Sequence, residues 1–272
     1  MNRTTDQLTT GDPVASSVTC CRWDMVSCVG ELESGLTSQS SNSITLTIKS
    51  GEKIGQLVSG MIEIVGVSGS PRKGGNTDQC LQEALRACSQ ECRTELVSLA
   101  DLKIAECNGC GRCKKEGTRK LPCPAHNDDM TPLYGKLASA DGFLFASPVY
   151  YGSVTGIMKM FMDRFLPFYY ESGSTSELKG ALRFKPAGAI AVGGDRNDGI
   201  EAVLYTLHRF FLFNDMLVVG TAGYSWSASN LGGTVHSDSK PDALMRDPLG
   251  KNTLTALGKK VSLLTEKLAG VR

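Results

Sequence analysis

No apolar run in the chain reaches the length of a membrane span, which excludes an integral helical membrane protein. The first thirty residues carry Asp6, Asp12 and Asp24 and no central apolar block, so they do not read as a secretory signal. Charge of either sign is not in excess. With 29 basic and 28 acidic side chains the net charge is +1, and nothing in that balance asks for nucleic acid or an anionic membrane. Two nucleotide signatures are also missing. Gly75-Asn-Thr77 lacks the lysine of a Walker A loop, and no G-x-G-x-x-G follows a strand. The expected location is the cytoplasm. Ten cysteines would suggest disulfides outside the cell, but in a reducing compartment they point to core packing, metal or redox work.

Residues 1–60 are rich in Ser and Thr and have no sustained helical period. They read as an N-terminal extension, disordered or preceding a true start at Met61, with one strand-like stretch, Ser43 to Lys49, and with Cys20, Cys21 and Cys28. From Met61 apolar strands and amphipathic helices alternate: strands over 62–67, 94–99, 142–146, 187–192 and 216–220, helices over 77–89, 130–137, 153–165, 200–213 and 253–268. Such alternation predicts an α/β fold, a doubly wound, five-stranded parallel sheet of flavodoxin-like order 2-1-3-4-5 over residues 61–272, with a cysteine-rich loop inserted at 105–128. In that order the ligand sits at the switch point between strands 1 and 3.

The loops after strands 1, 3 and 4 fit this expectation. Gly69-Ser-Pro-Arg-Lys-Gly-Gly-Asn-Thr77 joins a strand to a helix start, which aims backbone N–H groups at an anion. Ser68, Ser70 and Thr77 add hydroxyls, Arg72 a planar fork for phosphate oxygens, and Asn76 with Gln79 a capping box. Ser147-Pro-Val-Tyr-Tyr-Gly-Ser153 offers Tyr150 and Tyr151 as stacking faces beside Gly152. Gly193-Gly-Asp-Arg-Asn-Asp-Gly199 completes the crevice. A ligand with a phosphate at one end and a flat aromatic body at the other, such as FMN, matches these loops.

The fourth feature is Cys107-x2-Cys110-x2-Cys113 followed by Cys123, four thiolates of the kind an iron–sulfur cubane requires, with Gly109 and Gly111 letting a short loop wrap it. Zinc, with His126 as a spare ligand, and free thiols stay open as alternatives. Nine residues separate Cys113 from Cys123, which makes Cys123 the weakest ligand assignment. Cys88 and His208 read as structural; Cys80 and Cys92 fall off the helical core face and have no assigned role.

Together the three phrases around Gly69–Thr77, Cys107–Cys113 and Ser147–Ser153 resemble the NADPH-dependent FMN reductase superfamily, in particular its iron–sulfur flavoprotein branch, over residues 61–272. The resemblance implies FMN, its phosphate on Ser68, Ser70, Arg72, Asn76 and Thr77. It also implies a ribityl chain and ring lined by Pro148, Val149, Tyr150, Tyr151, Gly152 and Ser153, and Gly193, Gly194 and Asp195 near the ring's polar edge. A 4Fe-4S cluster on the four cysteines would relay single electrons, with no side chain as nucleophile or general base. NAD(P)H is a possible cosubstrate, and a small molecule or protein donates and accepts electrons. Two other readings remain: a cluster-free NAD(P)H-dependent FMN or quinone reductase, and a nonenzymatic redox carrier or sensor. Met158, Met160, Phe161, Met162 and Phe165 cover too wide an arc for one sheet face, which predicts a homo-oligomer.

Overall fold

The computed structural model describes residues 61–118, 120–170, 172–195, 199–221 and 229–269. The readings of residues 1–60 fall outside that range, as do Arg119 and residues 196–198 of the third loop.

Six parallel strands form one sheet: β1 (Ile62–Ser68), β2 (Cys92–Ser98), β3 (Gly142–Pro148), β4 (Pro186–Gly193), β5 (Leu217–Val219) and β6 (Gly233–His236). The order is β2-β1-β3-β4-β5, with β6 also on β4. The predicted order is the one observed. The fifth position is shared by two short strands, β5 along Pro186–Gly188 and β6 along Ile190–Gly193.

Strands β3 and β4 are buried at every residue because helices cover both faces. Alternate side chains sort into two cores. Val65, Val67, Phe143, Phe145, Ala187 and Ala189 face α2 (Met130–Ser139), α3 (Gly156–Asp163) and α4 (Ile200–Phe213). Ile62, Ile64, Leu144, Ala146, Ile190 and Val192 face α1 (Asn76–Arg86) and α6 (Pro248–Ala269). A short helix, α5 (Ala243–Arg246), precedes α6. The period-2 pattern of the strands thus divides the molecule into its layers.

Two sequence readings change. Cys80 is fully buried on α1, and Cys92 is buried in β2, so both belong with Cys88 to the α1/α6 core. Burial pushes the Cys88 and Cys92 thiols up to about 12 and raises Cys80 as well. The wide arc on α3 is met within the chain. Met158, Phe161, Met162 and Phe165 are buried, and the Phe145 ring lies 5.4–6.3 Å from those of Phe161, Phe165, Phe210 and Phe211. Met160, the remaining member of the arc, is half-buried.

Candidate functional site

The carboxyl ends of β1, β3, β4 and β6 lie in register, with Ser68 beside Ala146, Pro148 beside Val192 and Gly193 beside His236. The loops leaving them touch in a ring. Thr155 at the start of α3 donates from Oγ1 to Gly69 O at 2.6 Å and accepts from Met158 N at 3.2 Å, so one hydroxyl caps the helix and ties the third-strand loop to the first. A side chain on Gly199, at φ 76°, would meet Gly152 Cα at 2.7 Å, so glycine allows the third- and fourth-strand loops to touch. Ser237 donates its N–H and its hydroxyl to Gly193 O, each at 2.9 Å. The Asn76 amide closes the ring, donating to Lys240 O at 2.6 Å and accepting from Ala243 N at 3.3 Å.

Within that ring the residues expected to bind a ligand are present, with some roles altered. The cap of α1 is Gly75 and makes no side-chain bond, while Asn76 is committed to the 240–243 loop and Gln79 donates to Gly74 O at 3.1 Å. The capping-box reading is therefore corrected. Ser68 gives its hydroxyl to Asp78, whose carboxylate also accepts from Gly74 N at 2.8 Å and Ser98 Oγ at 3.3 Å. Asp78 thus shapes the loop from the β2 side, and Ser68 spends its proton there. Ser70 is buried and accepts from Arg72 N at 3.1 Å, while Thr77 is buried and Arg72 exposed. First-turn amides have no partners within a helix, so those of Asn76, Thr77 and Asp78 stand without intrahelical acceptors at the end of the loop from β1.

Pro148 is buried at the end of β3, and Val149 N bonds Val192 O at 3.0 Å. Tyr150 and Ser153 exchange backbone bonds of 2.9 and 3.0 Å around Tyr151 (φ 48°) and Gly152 (φ 70°), a two-residue hairpin with both central residues at positive φ. Both tyrosines are exposed at its tip. Gly193 ends β4 and Gly194 follows it, and Asp195 Oδ1 lies 3.6 Å from His236 Nε2, which is also 3.1 Å from Asp238 Oδ1. The 237–242 loop and His236 were missed by sequence reasoning because β6 is only four residues long.

A cavity of about 590 Å³ lies on the far side of Asp78, between α1, β2 and α2. Its wall pairs Lys73 with Asp101 and Lys136 with Glu95, and Gly74 and Asp78 of the first loop and α1 also line it.

The cysteine loop is built from a closed neck. Asp129 Oδ2 accepts from Lys103 N at 2.7 Å, and Asp128 Oδ2 accepts from Ala105 N at 2.8 Å. Arg164, 1% exposed, donates from Nη1 to Asp128 Oδ2 at 2.6 Å and to Ala105 O at 2.9 Å, and from Nη2 to Asp128 Oδ1 at 3.2 Å. Tyr134 holds the backbone of Arg164 through a 2.8 Å bond to its carbonyl. Burial favours the neutral Asp128 carboxyl, but the Arg164 and backbone hydrogen bonds and the guanidinium charge outweigh it and hold Asp128 below the usual carboxylate range.

The nine-residue gap is folded back on itself. Thr118 N bonds Leu121 O at 3.3 Å, and Gly117 sits where a Cβ would come within 2.5 Å of Cys113 O and 2.6 Å of Pro122 O. Glycine lets the two ends of the gap cross, and Cys123 returns beside Cys113. Thr175 N anchors the turn at Lys114 O, 2.7 Å away. Cys113 is buried, Cys107 and Cys123 are half-buried, and Cys110 is exposed. Burial first, then the thiols of Cys123, Cys107 and Cys110, push the Cys113 thiol up to about 11, so the other three sulfurs each act on Cys113. Among the described residues, three of these sulfurs do not come within 4.8 Å of one another. Sulfurs around one zinc at about 2.3 Å would sit closer than that. His126 Nε2, Thr131 Oγ1 and Arg164 Nε are buried there without hydrogen-bond partners.

A doubly wound parallel sheet whose switch point opens under a ring of loops, one with an anion end and one with displayed aromatic rings, defines a nucleotide-binding α/β protein of flavodoxin-like build. Residues 62–230 match the family model of NADPH-dependent FMN reductase. An iron–sulfur flavoprotein of Methanocaldococcus jannaschii is 39% identical over 202 residues, covering 74% of this chain and 96% of that one. A protein named NAD(P)H dehydrogenase (quinone), from Acidithiobacillus ferrooxidans, is 29% identical over 161 residues, 56% of this chain and 73% of that one. Among solved structures, a flavodoxin described as WrbA-like, from Agrobacterium tumefaciens, superimposes with a TM-score of 0.50 at 12% identity, over 76% of this chain and 99% of that one. The chain belongs to the NADPH-dependent FMN reductase family, in its iron–sulfur flavoprotein branch, and is an FMN-dependent oxidoreductase. Among the described residues, no helix is long and apolar enough to cross a membrane.

Proposed function

We propose that the chain moves electrons between FMN in the crevice and a 4Fe-4S cluster on Cys107, Cys110, Cys113 and Cys123, in the cytoplasm, using a small-molecule or protein donor and acceptor. The observation that carries this reading is the folding back of the Cys113–Cys123 gap at Gly117, which gathers four thiols on one clamped loop. The four-thiol donor set and the buried, unpartnered Arg164 Nε–H suit a sulfur-rich anionic centre better than a single zinc ion. Flavin bound in the crevice would supply both two-electron and one-electron chemistry, and the cluster one-electron chemistry.

The chain's own part is positioning. The amides of Asn76, Thr77 and Asp78, with Ser70, Thr77 and Arg72, would hold a phosphate at the α1 start, while the 240–243 loop fixes Asn76. Ser68 would act through Asp78 by fixing the loop. Pro148 to Ser153 would line the ribityl chain and ring, Tyr150 and Tyr151 offering apolar faces that exclude water. Gly193, Gly194 and Asp195 would meet the polar edge. No side chain is assigned a nucleophilic or general-base role.

A second reading, a cluster-free NAD(P)H-dependent reductase, is favoured by the exposure of Cys110 and by the quinone dehydrogenase relative. Anaerobic purification followed by counting iron, acid-labile sulfide and flavin per chain separates the two. About four irons and four sulfides with one flavin support the cluster. Flavin without iron, together with NAD(P)H turnover, supports the reductase, and absence of flavin sinks the assignment of the crevice.

A further inference from the structure

Arg164 is used incompletely. Its side chain is 1% exposed, and both terminal nitrogens are engaged by Asp128 and Ala105. Its Nε–H is buried with no acceptor. A charged donor left unpaired in a dry site is costly, so such an atom marks a group that the site is built to receive.

The surroundings narrow what that group is. Besides Asp128, the guanidinium interacts electrostatically with Tyr134 and Cys123. The Tyr134 O–H already donates to the Arg164 carbonyl. Cys123, half-buried, packs against the core cluster that contains Tyr134, Phe165 and Phe168. Neither the sheet nor α3 needs a cation at this point. The run from Phe161 to Phe168 is otherwise apolar apart from Asp163, which is exposed and paired with Lys159.

We infer that Arg164 Nε–H donates to the sulfur of Cys123 in the loaded centre, which makes Arg164 the positioning residue that raises the centre's reduction potential. The inference rests on the cluster reading above. Hydrogen bonds to cluster sulfurs and nearby positive charge favour the more negative, reduced form. Asp128 offsets part of the guanidinium charge, so the directed N–H accounts for much of the effect. Lysine could keep the charge but could not hold Asp128 and still present a donor at the Nε position.

The test uses the full chain, purified anaerobically as wild type, Arg164→Lys and Asp128→Asn, with iron and flavin counted before a potentiometric titration followed by electron paramagnetic resonance and visible absorption. At the wild-type cluster midpoint, Arg164→Lys is expected to lower the ratio of reduced to oxidised cluster about tenfold, a shift of about 59 mV for one electron. Asp128→Asn, which leaves the guanidinium less neutralised, is expected to shift the midpoint the opposite way. The flavin midpoint should stay in place in both. Should the lysine variant fail to fold, the asparagine variant decides alone. Cluster midpoints equal to wild type in a folded, iron-loaded variant overturn the role of Arg164 and leave the proposed function standing. A wild-type protein that takes up no iron overturns the cluster reading and this inference with it.

Discussion

Replacing Thr155 by valine tests how the crevice is held. The side chains are close in shape, but valine has no hydroxyl. Two bonds go: the cap to Met158 N at 3.2 Å and the donation to Gly69 O at 2.6 Å. Loss of a cap costs about 1 kcal/mol. Gly69 is buried, and its carbonyl would lose its partner, at a further cost of about 1–3 kcal/mol. The expected loss is therefore about 2–4 kcal/mol, read as a lower urea midpoint of flavin-free protein with unchanged slope. Serine retains the oxygen and should cost less than about 1 kcal/mol. The same bond joins the third-strand loop to the phosphate end, so binding must first restore that geometry. If restoring it consumes about 1.4 kcal/mol of the binding free energy, FMN affinity falls about tenfold by fluorescence titration. A valine variant as stable as the serine variant, with unaltered FMN affinity, would refute the reasoning.

Gly117→Val should push Cys113 and Pro122 apart, because its Cβ would meet their backbone oxygens at 2.5 and 2.6 Å; iron per chain should fall while flavin per chain holds. Asp128→Ala leaves the Arg164 charge buried without its partner and should cost about 3–5 kcal/mol in urea denaturation, with Asp128→Ala/Arg164→Met less destabilised than Asp128→Ala alone. Because the Asp128 carboxyl is held below its unfolded value, its contribution is present above about pH 4 and is lost as pH falls through the folded pKa, so Asp128→Asn should flatten the acid limb of the stability curve. Burial lowers the His208 pKa against the opposing backbone bond with Leu231, so the unfolded chain takes the proton first. Stability should fall as pH drops below about 6.5, and His208→Gln should remove that part of the slope.

The frame was legible because its physics is local to each segment. Continuous apolar runs such as Gly142–Ala146 announce buried strands, and the 200–213 helix shows its period plainly; both appear where expected. The loop positions followed from strand order. Contacts between distant segments were not legible. Asn76 looks like a cap in sequence, yet its amide meets Lys240 across the crevice. Thr155 carried an ordinary cap signal before an apolar helix, but its bond to Gly69 depends on β1 and β3 being neighbours. Arg164 stands as a lone buried cation in an aromatic run, a signal that could have been found, although its pairing with Asp128 could not.

The neck of the cysteine loop makes that loop and the flavodoxin-like frame separable along the chain. Lys103 and Ala105 are bonded directly to Asp129 and Asp128, so the backbone leaves the domain and re-enters it at one point. Residues 106–127 are therefore topologically an insert, and a short turn could bridge the same gap without moving a strand. If the proposed cluster is present, a deletion there would convert a two-centre electron carrier into a one-centre flavoprotein in a single genetic step, and grafting the segment between two such aspartates and an arginine would be the reverse step.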